Sequence, residues 1–169
     1  VAQPTLTLAQ KRIRRLRRSL AAAGLNEAIS WAFIREEDAK AFGGGAPALH
    51  LANPISQDMS VMRPSALPGL LRAVKRNLDR GLTPVRLFEI GACFEDDTPK
   101  GQFQVAAMIL AGHHGEAHWS SKAKAFDVYD AKYEAERALR AVGAPVEKLM
   151  ITTDAPAWFH PGRSGVLRL

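Results

Sequence analysis

Two ten-residue apolar runs, "VRLFEIGACF" at 85–94 and "FQVAAMILAG" at 103–112, stand on either side of the polar stretch "EDDTPKGQ". Each run has the length of a strand, and the residues between them favour a turn, so the pattern predicts an antiparallel hairpin. Both strands are apolar on both faces, which predicts a central place in a covered sheet. Such a place creates a problem at Glu89. A carboxylate buried there without a partner would cost several kcal/mol or be forced to protonate. Arg63, Arg86 and Arg163 are the arginines available in punctuated or strand positions. Glu89 is then either a catalytic carboxylate in a cleft or half of an internal ion pair locking a loop onto the sheet. The second reading is preferred, because structural pairs account for such acids as well as catalysis does.

The remaining elements follow from periodicity and punctuation. A first helix is predicted over Leu8 to Ala23, with Thr7 and Gln10 as a capping box and Gly24 just past its end. Ile13, Leu16, Leu20 and Ala23 share one face, and Lys11, Arg14, Arg15 and Arg18 lie opposite. "EAISWAFI" (27–34) and "ALHLA" (48–52) read as strands, with the short helix "REEDAKAF" and the break "GGG" between them. A second main helix is expected from Leu67 to Arg80, burying Leu67, Leu71, Val74 and Leu78, with Pro68 tolerated in its first turn. Asp127 should cap a further helix reaching Val142, its inner face made of Val128, Ala131, Ala135, Ala138, Leu139 and Val142. "KLMITTD" and "SGVLRL" close the series as strands joined by "APAWFHPGR". This order of elements predicts an α+β fold, a mainly antiparallel sheet flanked by helices.

At 169 residues the chain fits a single domain. It begins without Met and stops within a strand-like run, so it is expected to be a piece of a longer protein, truncated at both ends. No run is long and apolar enough to span a bilayer, and no signal peptide is visible. A cytoplasmic location is expected, and the lone Cys93, which excludes an internal disulfide, fits a reducing compartment. Cys93 reads as an inert core thiol. The charge is +6, and it is concentrated: Lys11, Arg12, Arg14, Arg15, Arg17 and Arg18 fall within eight positions, with no acid before Glu27. The other 17 bases are matched by 17 acids, so one segment carries the whole excess. Arginine's planar fork suits phosphates or a partner's carboxylates, and a solvated polar face is the plainer alternative.

Other candidate chemistry is thinner. His113, His114, Glu116 and His118 could hold a metal, but a polar loop tip lacks the rigid supports such a site needs. His160 in "WFHPGRSG" reads first as a turn residue. "FGGGAP" has neither the lysine nor the strand-to-helix setting of a phosphate loop. Ser, Cys and His form no nucleophilic arrangement.

The ordered set of segments resembles the β subunit of phenylalanyl-tRNA synthetase. It comprises the Arg-rich helix into "GLNEAISWAF", "NPISQDMSVMRPSALPGLL", "RLFEIGACF", Trp119 with "FDVYDAKYEAE", and "HPGRSG". Tyr133 departs from it, standing where the family's pattern has glycine. The resemblance covers nearly the whole chain and implies a class II aminoacyl-tRNA synthetase-like core that performs no catalysis itself. It also implies an (αβ)2 assembly in which the α subunit carries out the chemistry. ATP and Mg²⁺ would serve the whole enzyme, with no cofactor on this domain, and tRNA would be bound through the complex. The residues agree with inactivity. Class II enzymes present an Arg-x-Glu pair whose i, i+2 spacing puts both side chains on one strand face. Here the nearest equivalents, Arg86 and Glu89, are three apart. Candidate structural or interface residues are Arg14, Arg15, Arg18, Asn53, Pro54, Arg63, Glu89, Trp119, His160 and Arg163, with no catalytic and no metal-binding residue. Arg63 is expected to pair with Glu89 and, with its flanking prolines, to organise a subunit contact. An active ATP-dependent ligase core and a stand-alone RNA-binding module built on the basic helix are the rival readings.

Overall fold

The computed structural model of the chain describes residues 5–115, 119–120 and 123–169. Its elements in chain order are α1 (Leu8–Ala22), β1 (Asn26–Glu27), β2 (Phe33–Ile34), α2 (Glu36–Ala41), β3 (Val61–Met62), α3 (Leu67–Leu78), β4 (Val85–Phe94), β5 (Gln102–Ala111), α4 (Val128–Ala141), β6 (Met150–Thr152) and β7 (Val166–Arg168). Single 3-10 turns occupy Pro47–Leu49, Gln57–Met59 and Val146–Lys148. The chain gathers into two compact units, one of Val1–Leu25 with Lys124–Leu169 and one of Asn26–Ala123.

The hairpin organises the unit Asn26–Ala123. β4 and β5 pair antiparallel without interruption from Val85↔Ala111 to Phe94↔Gln102, and β1 adds to the other side of β4 in parallel. β4 is therefore the central strand, and Val85, Leu87, Phe88, Glu89 and Cys93 are buried in it. β5 departs from expectation. It is the outer strand of this sheet, and none of its residues is fully buried. An apolar run identical in character to β4 thus lies half in solvent within the described residues.

α3 lies on this sheet by a face rotated from the one expected, of which Val74 is buried and Leu67 half-buried. Leu70 and Val74 pack with Val85 and Leu87, and Ala73, Ala107, Ile109 and Ala111 close the cluster. Leu71 and Leu78, expected inside, are exposed. Size misled the pattern: Ala66 and Ala73 are small, and small side chains let the helix come close to the sheet. Ala66, Pro68, Leu70 and Val74 are buried and Ala73 is half-buried.

"EAISWAFI" is not one strand but two pieces of two residues that belong to different sheets. β1 joins β4, while β2 pairs antiparallel with β3. Between them the chain turns Ser30 inward and leaves Ile29 and Trp31 exposed. "ALHLA" is likewise not a strand. Pro47 starts a 3-10 turn, and only His50 bridges to Val61. Ile34, Ala39, Leu49 and Val61 form the small core of this region.

In the other unit, α1 packs against α4. Thr7 and Gln10 form the expected capping box, and Gly24 at φ 80° provides the left-handed exit that a side chain would resist. Leu16 and Leu20 are buried. α4 starts from a second capping box, Asp127 with Asp130. Of the small-residue face expected, Ala135, Ala138, Leu139 and Val142 are half-buried. Val128 and Ala131 are exposed, and the buried residue is Glu134, 4% accessible, with Arg137 Nη1 3.5 Å from its Oε2. The periodicity rule counts only apolar residues, so an acid at an inner position escapes it. The two terminal segments are strands, as expected, and β6 and β7 pair antiparallel.

Candidate functional site

Arg63 enters the fold between two strands. Its N–H donates to Ala32 O at 2.9 Å, and its carbonyl accepts from Phe94 N–H at 3.0 Å. With the main chain held on both sides, the side chain has one direction left, across β4. Its Nε–H donates to Ala92 O at 2.9 Å, and Nη1 donates to Glu89 Oε1 at 2.6 Å and to Ser30 Oγ at 3.0 Å. Ser30 Oγ–H in turn donates to Glu89 Oε2 at 2.8 Å, while Ser30 N–H reaches Oε1 at 3.4 Å. The hydroxyl thus accepts from the cation and donates to the anion, which uses its single proton and one lone pair. Arg63 and Glu89 are each 3% accessible.

Two glycines make room for this group. A Cβ at Gly91 would overlap Arg63 Nη2, and one at Gly69 would come within 2.9 Å of Ser30 Cβ and nearer still to its hydroxyl. Gly91 sits two residues beyond Glu89 on the same strand face, so the guanidinium lies in the space that a side chain would take. The three side chains leave no opening for a reacting group. Both carboxylate oxygens accept hydrogen bonds from within the fold, and with Glu89 3% accessible a substrate would have to displace these bonds to reach it. The buried pair is a tie between the 53–66 approach, β4 and the Ser30 turn. Breaking it from one side would strand a charge, at a cost of about 3–5 kcal/mol.

Of the three arginines that could have met Glu89, Arg63 does so. The unbroken register of β4 shows no bulge, so Arg86, three residues away, projects from the opposite face. Arg163 is exposed in the turn before β7. His160 serves that turn: its Nδ1 accepts from Gly162 N–H at 3.0 Å, and its carbonyl accepts from Ser164 Oγ–H at 2.7 Å. Asn53 is exposed and Pro54 half-buried at the start of the approach to Arg63. Asp58 there pairs with Arg35 Nε at 2.8 Å, which ties the loop to the start of α2. Trp119 is 93% accessible. Of the histidine cluster, Glu116 and His118 lie outside the described residues, and His113 Nδ1 is 2.8 Å from Gly115 O. No group of metal ligands occurs among the described residues. Burial pushes the Cys93 thiol up from its ordinary pKa, which keeps it protonated and unreactive.

Beside the hairpin turn lies an open cleft of about 380 Å³, lined by Leu49, His50, Met62, Phe94, Asp96 and Asp97 among others. Asp96 Oδ1 accepts from Thr98 N–H at 2.7 Å and from Thr98 Oγ1–H at 2.6 Å. These bonds, the hydroxyl's first, hold the carboxyl below its usual pKa and so anionic. No arginine or lysine lines the cleft. A polyphosphate would meet only negative charge there.

Sequence reasoning missed Ser30, Gly69 and Gly91. Gly91 carried a signal, since a glycine on the same face as a buried acid marks space for that acid's partner. Ser30 had a weaker one, a polar residue between Ala28 and Ala32 in an alternation with Ile29 and Trp31.

Comparison with known proteins places these features in a family. The family described as "Phenylalanyl tRNA synthetase beta chain CLM domain" matches residues 1–169. The phenylalanine–tRNA ligase β subunit of Paramagnetospirillum magneticum is 48% identical over 167 residues, which cover 99% of this chain and 21% of that protein. That of Bartonella henselae is 50% identical over 173 residues, covering 100% and 22%. The chain thus spans about a fifth of the length of these relatives. Among solved structures, pyrrolysyl-tRNA synthetase from Desulfitobacterium hafniense superposes with a TM-score of 0.62 at 16% identity, over 89% of this chain and 52% of that one. A Bacillus halodurans ATP phosphoribosyltransferase regulatory subunit/histidyl-tRNA synthetase gives 0.59 at 14%, over 89% and 38%. The fold is α+β and class II aminoacyl-tRNA synthetase-like. The chain belongs to the phenylalanyl-tRNA synthetase β chain family, of which it represents the CLM domain.

Proposed function

We propose that residues 1–169 are a non-catalytic core of a phenylalanine–tRNA ligase β subunit, a scaffold on which the catalytic α subunit assembles. The observation that supports this most is the closure of Glu89. Glu89, the carboxylate of the central strand, is buried and already bonded to Arg63 and Ser30. The acidic lining of the neighbouring cleft supports the same reading, because adenylate formation needs cations on the nucleotide's phosphates. In this account ATP and Mg²⁺ act in the α subunit, the complex is (αβ)2, and tRNA is bound by the complex in the cytoplasm. Arg63, Asn53, Pro54, Trp119, His160 and Arg163 shape and present surfaces and carry no chemistry.

Calorimetric titration of the chain with ATP and Mg²⁺ is expected to give no saturable heat, whereas co-expression with an α subunit is expected to give a joint peak on a sizing column. Stoichiometric nucleotide binding to the chain would sink the scaffold reading in favour of an active ligase core.

A further inference from the structure

The segment "APAWFHPGRSG", residues 155–165 between β6 and β7, is organised by consecutive turns. Phe159 N–H donates to Pro156 O at 3.0 Å, and Arg163 N–H donates to His160 O at 3.1 Å. Gly162 N–H donates to His160 Nδ1, and Ser164 Oγ–H donates to the His160 carbonyl. Pro156 and Pro161 restrict the backbone further. A loop held in this way has already lost much of the freedom that binding would otherwise remove.

The loop displays aromatic rings and hydrogen-bond donors together. Trp158 and Phe159 are 42% and 44% accessible, with ring centroids 6.3 Å apart and planes inclined at 44°. Rings at that angle cannot enclose one flat group between parallel faces, so each offers a face of its own. Because Nδ1 of His160 accepts the bond from Gly162, the neutral imidazole carries its proton on Nε2, and this exposed ring is a donor there. Arg168 is answered by Asp154, whereas Arg163 is exposed and has no ion pair among the described residues. Residues 155–165 contain no acid, so nothing within the loop repels an anion.

Unpaired nucleotides combine flat rings with phosphate oxygens. Bases stack on aromatic faces whatever their identity, and the guanidinium fork suits a phosphate. The basic helix α1 offers only the second of these, since residues 8–22 contain no aromatic side chain. We infer that residues 155–165 take two neighbouring unpaired nucleotides of the tRNA in the assembled enzyme, one base on Trp158 and one on Phe159, with Arg163 on a phosphate. This rests on the reading that the complex binds tRNA, and adds a place where it does so.

The test uses the complete β subunit assembled with its α subunit. Trp158→Leu/Phe159→Leu keeps apolar side chains but removes the ring faces, and is expected to raise the dissociation constant for tRNA about tenfold or more. Trp158→Tyr/Phe159→Tyr keeps ring faces and should stay within about threefold of wild type. Arg163→Gln should reduce the slope of log affinity against log salt by about 0.7, the share of one phosphate on a single strand, and Arg163→Lys should restore it. Position 163 is exposed, so its variants decide the phosphate contact even where the ring variants fail to fold. Wild-type affinity and slope in both the leucine and the glutamine variants would overturn the inference. Loss of the α subunit on a sizing column, with tRNA affinity falling only in the dissociated protein, would identify a polypeptide contact and overturn it as well. A wild-type complex that bound no tRNA would instead overturn the reading beneath it, a separate outcome.

Discussion

Arg63 and Arg14 are the same side chain in opposite circumstances. Arg63 is buried, held at its backbone from both sides, and matched to a carboxylate, a hydroxyl and a carbonyl. Arg14 sits on an exposed helix face among like charges, with no acid on its own helix. The first has its partner within the fold, so removing either side strands a buried charge. The second finds none on its helix and so is available to another molecule. The difference shows that an arginine's role follows from whether its charge is answered locally, not from the residue type.

The largest effects should come from unbalancing the answered charge. Arg63→Met is expected to destabilise the chain by about 3–5 kcal/mol in urea denaturation, because Glu89 would remain buried without a cation. Arg63→Met combined with Glu89→Leu should recover most of that loss, since a buried pair replaced by apolar groups of similar volume is often near neutral. Additive losses in the double variant would mean that the two side chains do not act as one unit. By contrast, Arg14→Met should shift stability by less than about 0.5 kcal/mol, as surface substitutions do. Should it cost as much as Arg63→Met, the comparison itself fails.

Next in size are the packing around the pair and the face of α3. Gly69→Ala should cost about 1–3 kcal/mol, since its methyl group would push on Ser30. Leu70→Ala should cost about 2–5 kcal/mol and Leu71→Ala far less, because only Leu70 is in the cluster with Val85 and Leu87. Equal losses at both positions would contradict the buried face described for α3.

How much of this could be read from the sequence depended on whether the deciding partner was near or far in the chain. The capping box of α1, the Asp127 cap of α4, the Gly24 exit and the hairpin are local, and all were legible. The Glu89 problem was legible too, because a charge inside an apolar run demands a partner, and the pairing with Arg63 was the one expected first. The inner faces of α3 and α4 were legible only in part, since each depends on what packs opposite. Leucine outweighed alanine in the reading of α3, although closeness to the sheet favours Ala66 and Ala73. The division of "EAISWAFI" between two sheets was also hidden. Nothing local indicates that Glu27 belongs beside Phe88 and Ile34 beside Val61.

The smallest expected effect is one of pH at the hairpin turn. Asp96 has a folded pKa held below its unfolded value by Thr98. Its contribution to stability is therefore present above the unfolded pKa and lost as pH falls through the folded one. Thr98→Val should flatten that part of the acid limb, seen as thermal midpoints measured from neutral pH downward. An unchanged profile would remove Asp96 from the account.

The role of the answered charge is tested most directly by Glu89→Gln in the assembled α–β enzyme, with thermal midpoint and aminoacylation turnover measured on the same preparation. If Arg63 and Glu89 only tie the fold together, the midpoint falls while kcat per assembled complex stays within about twofold of wild type, as for a residue away from the transition state. A kcat lowered by about a hundredfold or more with the midpoint unchanged would place Glu89 in the chemistry and contradict the scaffold.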